Sequence, residues 1–291
     1  MIKKMKKTKK KKYRIPLILL FLSMIVLADA FLIEPNRLKV RYEIIYSPKI
    51  PEELNNYTIL VFSDLHYNNF VKKNRAEKVV SVINSVGADT VLFLGDLYDH
   101  PTKYPITLET RYELAEILQG IETKYGKFAI LGNHDYDSPE TVDIVIDTLE
   151  YANFEVLLNS NTPLYYEGEE YINLIAIDSL SLGNPDIARA YKGIENSDFN
   201  IVFTHCPDIF DEIDSSLTDL VLSGHSHGGQ VNIPFLSRFF TPYGARKYYS
   251  GKYTSGNLIL DITNGVGTTW AKVRFNAPPE IVVYRLVNEN Q

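Results

Sequence analysis

Cysteine is almost absent from this chain. Cys206 is the only one among 291 residues, so no intramolecular disulfide can staple the fold. It follows His205 directly, which leaves two readings, a soft metal ligand or a small buried hydrophobe. Basic residues are scarce beyond the first stretch. Residues 1–14 hold nine of the 30 Lys and Arg and no acid, so the remainder carries 21 basic against 36 acidic residues, a net -15. A body that acidic lacks the basic footprint of a nucleic-acid-binding protein, and its simplest consequence is solubility. Internal repeats of fixed period and internal low-complexity segments are missing as well. What remains is 45% hydrophobic, the composition of a globular protein long enough to bury a large core.

Apolar runs long enough for a membrane are missing too, with one exception. Ile15 to Ile33 is almost wholly apolar, interrupted by Ser23 and Asp29, and about 20 such residues cross a bilayer. The lysine run before it predicts an N-terminus in the cytoplasm and the rest of the chain outside. Ala28-Asp29-Ala30 offers a small-residue cleavage site for a signal peptide, but Phe31 to Ile33 carries the apolar run past it. An uncleaved signal anchor is therefore expected. The chain divides into a basic tail (1–14), an anchor (15–33), a connector and first strand (34–56) and a globular domain (57–291).

Inside that domain the apolar runs are short, and each ends alike. Ile59-Leu60-Val61-Phe62 leads into Ser63-Asp64-Leu65-His66, and Val91-Leu92-Phe93-Leu94 into Gly95-Asp96-Leu97-Tyr98-Asp99. Phe128 to Leu131 leads into Gly132-Asn133-His134-Asp135, Ile201 to Phe203 into Thr204-His205, and Leu220 to Leu222 into Ser223-Gly224-His225-Ser226-His227. Runs of four apolar residues read as strands buried on both faces, and α/β sheets place their ligands beyond the carboxyl ends of such strands. Five of the six histidines fall at these ends; only His100 lies elsewhere, and it reads as an exposed loop residue. Asp64 and His66, two apart, would face one side of an extended backbone, and so would His225 and His227.

Between these runs, helical spacing predicts helices over Asn74–Val86 and Leu108–Ile121. A third opens at Ser138-Pro139, where a capping serine precedes a proline in the first helical position. From Phe154 strand-like runs crowd together at Val156–Leu158, Leu164–Tyr166, Ile172–Ile177, Lys247–Tyr253, Leu258–Ile262 and Ile281–Leu286, predicting a second sheet packed on the first. Ile233 to Phe240 reads either as a core strand and turn or as an apolar shield for an acyl chain.

Carboxylates, one amide and imidazoles without thiolates suit a divalent metal such as manganese, iron or zinc. Seven candidate ligands are too many for one tetrahedral site and suit two ions sharing a carboxylate. Asp96 is the expected bridge. Two such ions lower the pKa of a shared water and clamp the attacking and leaving oxygens of an in-line displacement.

The ordered motifs Asp64-x-His66, Gly95-Asp96-x-x-Asp99, Gly132-Asn133-His134-Asp135, His205 and Gly224-His225-x-His227 resemble the calcineurin-like metallophosphoesterases. Glu34-Pro35, His227-Gly228-Gly229-Gln230 and Arg274-Phe275-Asn276-Ala277-Pro278-Pro279-Glu280 are similar to their membrane-anchored YkuE/YaeI-like branch. The segment Thr268 to Val273 departs from that branch in lacking a proline before the arginine.

The resemblance implies an α/β (α+β) fold: a four-layer αββα sandwich of two mixed β-sheets flanked by helices, behind an N-terminal transmembrane helix. It implies one metal on Asp64, His66, Asp96 and His227 and another on Asp96, Asn133, His205 and His225. It also implies that His134 faces the substrate phosphate as the catalytic residue, with Asp99 and Asp135 orienting the site. The expected activity is hydrolysis of a phosphomonoester or phosphodiester by a metal-bridging hydroxide at the outer face of the membrane. The substrate is a phosphate ester, soluble or lipid-linked in the cell envelope. The alternative is a non-catalytic, metal-bound surface scaffold, against which an intact His134 stands because a structural site has no use for it.

Overall fold

The computed structural model describes residues 14–290, so the lysine run, Arg14 aside, lies outside the described residues. Helix α1 (Arg14–Ala28) is apolar all round and buries none of its residues, the pattern of a helix that needs lipid or protein around it. It continues through a π turn, Asp29–Ile33, and a 3-10 turn, Glu34–Asn36. Among the described residues the 23-residue stretch Arg14–Asn36 is the one candidate long and apolar enough to cross a membrane. Its end is docked on the domain. Ala30 is buried and its carbonyl accepts from the Arg274 N–H at 3.0 Å; the buried Glu34 carboxylate accepts from the Ala277 N–H at 2.6 Å.

Beyond β1 (Lys39–Ser47), strand and helix alternate through β2 (Thr58–Phe62), α2 (Lys73–Val86), β3 (Thr90–Phe93), α3 (Leu108–Gln119), β4 (Lys127–Ala129), α4 (Pro139–Tyr151) and β5 (Glu155–Val156). Local chemistry sets the helix ends. The Ser138 side chain accepts from the Thr141 N–H to cap α4, with Pro139 in its first turn. Gly87, at φ 65°, closes α2 in the left-handed conformation. The second half contributes β6 (Ser160–Tyr165), β7 (Tyr171–Ile177), the short helix α5 (Ile187–Ala190), β8 (Asn200–Thr204), β9 (Leu220–Ser223), β10 (Gly251–Ser255), β11 (Leu258–Ile262) and β12 (Glu280–Asn288).

Two mixed six-stranded sheets result, ordered β1-β12-β2-β3-β4-β5 and β10-β11-β9-β8-β7-β6. Alternation along each strand divides the core. Ile59, Val61 and Leu92 of the first sheet face Leu174, Ile201 and Phe203 of the second. Leu60, Phe62, Val91 and Phe93 point the other way, into Val79, Ile83, Leu114 and Val145 of the helices. On the far side of the second sheet Ile175, Val202 and Val221 are covered by Ala190 of α5 and by Ile209 and Phe210 of a 3-10 turn. The fold is thus the expected four-layer α/β sandwich, with a thin fourth layer.

Three local expectations are corrected. Val156 and the run Ile281–Leu286 belong to the first sheet, where β12 inserts between β1, parallel to it, and β2, antiparallel to it. The strand expected from Lys247 begins only at Gly251. The N–H groups of Arg246, Lys247 and Tyr248 all donate to the Asp208 carboxylate, at 2.8, 3.0 and 3.0 Å, and so are unavailable to a sheet. The run Ile233–Phe240 forms no core strand: Phe235 is 88% and Phe240 84% exposed.

Candidate metal centre

Asp64, Asp96, Asn133, His205 and His225 follow β2, β3, β4, β8 and β9, so the carboxyl ends of parallel strands from both sheets bring them together. The backbone there is not extended, as the two-apart spacing had suggested. Asp64, His66, Asp96, His225 and His227 take φ values of 55°, 48°, 60°, 70° and 53°, a left-handed conformation costing about 1–3 kcal/mol per residue. The loops close too tightly for anything but glycine at several points, Gly132 and Gly224 among them. A Cβ on Gly132 would lie 2.2 Å from Asp96 Oδ1, and one on Gly224 would lie 2.2 Å from Ser63 Oγ and 2.6 Å from Asp64 Oδ2.

The donor atoms form three buried groups: Asp64, His66 and His227; Asp96, His205 and His225; and His66, Asp99 and His134. Asp96 stands between the first two. Its Oδ2 lies 3.2 Å from His205 Nε2 and 3.5 Å from His66 Nε2. The histidine pairs face each other directly, His66 Nε2 to His227 Nε2 at 3.0 Å and His205 Nε2 to His225 Nδ1 at 3.1 Å.

Hydrogen-bond partners assign the tautomers. His205 Nδ1–H donates to the Leu94 carbonyl at 2.7 Å and His225 Nε2–H to the Tyr243 carbonyl at 2.8 Å. Two imidazole lone pairs therefore confront each other across 3.1 Å, an arrangement that a proton or a metal ion must hold together. Asn133 Oδ1 is buried without a protein partner, a further acceptor suited to a cation. At the other pair, Arg274 Nη2 lies 3.2 Å from His227 Nδ1. Arginine only donates, so the His227 proton sits on Nε2, where a cation would displace it.

The electrostatics favour cation binding. Burial, with His134 close by, holds the His66 imidazole well below the ordinary histidine range. Burial and His66 do the same at His227, and burial and His205 lower His225. All three are neutral ligands in waiting. Burial works against ionising Asp96, yet His205 and His134 outweigh it and hold that carboxyl well below its usual range. At His205 burial is likewise outweighed, by Asp96, and the imidazole is raised well above its usual range. Positive charge is welcome there. The donor set fits divalent metal.

His134 belongs to the third group, with His66 and Asp99, and to neither of the first two. Its N–H donates to Asp96 Oδ1 at 2.8 Å, and its Nδ1 accepts from the His100 N–H at 3.2 Å. The ring proton is therefore on Nε2. His100 is exposed in its loop as expected, but its ring also packs on His134, centroids 4.0 Å apart. Asp99 lies 3.6 Å from His66 Nδ1 and 3.7 Å from His134 Nδ1. Its own position is fixed by Asn69 Nδ2 at 2.6 Å and Thr269 Oγ1 at 3.0 Å. Asp135 faces the backbone instead, accepting from the N–H groups of Gly132, Asp96 and Leu97 at 2.8, 2.9 and 2.9 Å. Burial and the Asp96 charge push its carboxyl up to about 7.

Cys206 is buried, with Sγ 3.5 Å from Ser179 Oγ, and belongs to none of the donor groups; it acts as a small hydrophobe. Two residues beside the centre had no role in the sequence reading. The first is His100, whose lone position gave no signal. The second is Arg274, fully buried, which donates to the carbonyls of Gly267 at 2.6 Å and Ala277 at 2.7 Å while touching His227. Its sequence trace is its place at the head of the Arg274-Phe275-Asn276-Ala277-Pro278-Pro279-Glu280 run, which by itself gives it no role at a histidine.

Two mixed sheets converging on buried Asp and His side chains, with Asn133 Oδ1 beside them, define an α/β protein with a candidate metal centre. Residues 57–229 match the family described as calcineurin-like phosphoesterase. The chain is 30% identical over 258 residues to the metallophosphoesterase YkuE of Bacillus subtilis, covering 89% of this chain and 88% of that one. It is 27% identical over 234 residues to the phosphodiesterase YaeI of Escherichia coli, covering 79% and 82%. It is 26% identical over 309 residues to the UDP-2,3-diacylglucosamine pyrophosphatase LpxG of Chlamydia trachomatis, covering 88% and 92%. This chain belongs to the calcineurin-like phosphoesterase family and is a metal-dependent hydrolase.

Proposed function

We propose that this protein hydrolyses a phosphomonoester or phosphodiester at a dinuclear metal centre, facing out from the membrane on its N-terminal anchor. Residues 57–291 are the catalytic unit and 34–56 join it to the span 15–33. The observation that carries the reading is the Asp96 carboxylate, placed 3.2 Å from His205 and 3.5 Å from His66, one in each donor group. Asp64, His66, Asp96 and His227 would hold one divalent ion, and Asp96, Asn133, His205 and His225 the other. Manganese, iron or zinc would suit these donors. Such a pair supplies a water of lowered pKa and charge to neutralise a phosphate.

The chain's own groups do the rest. His134 carries its proton on Nε2, fixed by the His100 amide on Nδ1. From Nε2–H it donates a hydrogen bond to a phosphoryl or leaving oxygen and stabilises the charge that develops there. Asp96 Oδ1 holds the His134 backbone in place at 2.8 Å, and Asp99, 3.6 Å from His66 Nδ1, orients that imidazole. Asp135 pins the Asp96 and Asn133 loops together through three amides. LpxG, by its name, cleaves a lipid-linked pyrophosphate, which makes a lipid-linked or cell-envelope ester a fitting substrate here.

The test is a panel of phosphomonoesters and phosphodiesters offered to the full chain in detergent, stripped of metal and reloaded with manganese, zinc or iron. Turnover that appears only with metal supports the reading. Full metal loading without turnover on any ester would leave a metal-bound scaffold.

A further inference from the structure

The metal centre opens into a chamber of about 570 Å³. Its lining includes Asp96, Asn133, His134 and His227, and also the apolar Val231, Ile233, Leu236, Phe240 and Trp270. A phosphate group has use for the first set and none for the second. The apolar set continues outward as a lip on which Phe235 is 88%, Phe240 84%, Trp270 69% and Leu236 52% exposed. Apolar side chains grouped in this way mark a surface that meets something other than water.

The end of α1 indicates what covers them. Asn232 and Pro234, at the start of the lip, share a surface recess with Asp29, Glu34 and Arg37 at the foot of the helix. Arg274 ties the same foot to the site, with its N–H on the Ala30 carbonyl at 3.0 Å and its guanidinium 3.2 Å from His227. The last apolar turn is itself bare: Phe31 is 48%, Leu32 69% and Ile33 54% exposed. A bilayer crossed by α1 begins where that turn ends, on the face that carries the lip. Aromatic side chains favour that boundary between lipid and water.

We infer that the lip Ile233 to Tyr243, with Trp270, enters the leaflet in which α1 ends, and that the chamber takes the alkyl chain of a membrane-resident lipid phosphate ester. The chain lies along Val231, Ile233, Leu236 and Phe240 while the phosphate reaches the metal centre. The inference rests on the phosphoesterase reading for its second half.

Trp270 is the only tryptophan, so its emission reports the lip without a label. Full-chain protein is placed in nanodiscs of phosphatidylcholine with or without bromine on the acyl chains. Brominated lipid should quench Trp270 by about half or more, and Phe235→Glu should reverse most of that quenching. Because Phe235 is 88% exposed, a charge there spares the core, and an unchanged melting temperature checks this.

In the same nanodiscs, the metal-loaded enzyme is given p-nitrophenyl phosphodiesters with alkyl groups from methyl to hexyl. The kcat/KM should climb with length, by up to about fourfold per methylene. Leu236→Glu should flatten the climb, while partitioning of the esters into the bilayer is common to both proteins. Unquenched Trp270, crosslinked dimers that shield it from lipid, or one kcat/KM at every length would each overturn the inference and leave the phosphoesterase reading intact. Failure to cleave even the methyl ester with metal present would instead remove that reading.

Discussion

The backbone N–H of His100 donates to Nδ1 of His134 at 3.2 Å, so the ring proton of His134 is held on Nε2. Substrate meets that nitrogen as a donor. An imidazole presented in this way stabilises charge on a phosphoryl or leaving oxygen as a hydrogen-bond donor, and it does not ligate metal from Nε2 while the proton stays.

His134→Ala should therefore keep its metal and lose about 10²–10⁴-fold in kcat. If Nε2–H hydrogen-bonds the leaving oxygen, esters of alkyl alcohols, which carry more charge there, should suffer more than those of nitrophenol. Equal losses would assign the residue to charge stabilisation on a phosphoryl oxygen, and loss of metal would make it a ligand. His100→Ala keeps the amide but removes the ring packed at 4.0 Å, and a smaller loss, about 3–30-fold, is expected with metal retained.

Asp96→Asn removes the carboxylate that lies 3.2 Å from His205 Nε2 and 3.5 Å from His66 Nε2. Metal content should fall from two ions per chain to one or fewer, and kcat by about 10³-fold or more. Two ions bound with normal turnover would end the bridging assignment.

Gly224→Ala should destabilise the loop rather than the chemistry. The added methyl would meet Ser63 Oγ at 2.2 Å and Asp64 Oδ2 at 2.6 Å. Opening that contact displaces Asp64. A loss of about 1–3 kcal/mol in denaturant unfolding and weaker metal affinity should appear together. Unchanged stability and affinity would mean that the loop has room to spare.

Lys127 gives a pH test away from the centre. Burial lowers its ammonium from 10.5 to about 8, while its Nζ donates to the Ile121 carbonyl at 3.3 Å and lies 5.1 Å from the Phe154 ring centroid. At pH 7 the group is charged in both folded and unfolded chains, so the folded state carries the whole burial penalty. Between pH 8 and 10.5 the unfolded chain binds more protons, and stability rises with pH. Lys127→Met should therefore stabilise by about 1–3 kcal/mol at pH 7, an advantage that shrinks as pH rises through that window. A gap in urea midpoints that stays constant to pH 10.5 would place the charge in water.

Much of this site is written in short stretches of sequence. Four apolar residues followed by Gly95-Asp96 or Gly132-Asn133-His134 announce a buried strand and a polar end, because both signals are local. Sheet membership is not local. Ile281–Leu286 looks like any other strand, and only its pairing with Lys39–Ser47 and Thr58–Phe62 decides which sheet it joins. The left-handed turns at Asp64 and His66 were equally hidden, since non-glycine residues adopt them only when tertiary packing compensates. His100 and Arg274 escaped because each acts on a histidine distant in sequence, 34 and 47 positions away. The run Ile233 to Phe240 reads by composition either as a core strand and turn or as an apolar shield, and its exposure is set by tertiary packing rather than by local pattern.

The central claim is that two metal ions shared by Asp96 make this chain a hydrolase. The most direct measurement titrates manganese into metal-stripped, full-chain protein and follows bound metal and bis(p-nitrophenyl) phosphate turnover in the same sample. Turnover should reach its plateau at two ions per chain and stay near zero in Asp96→Asn. A plateau at one ion, or two ions bound with no turnover on this or any other ester, would contradict it.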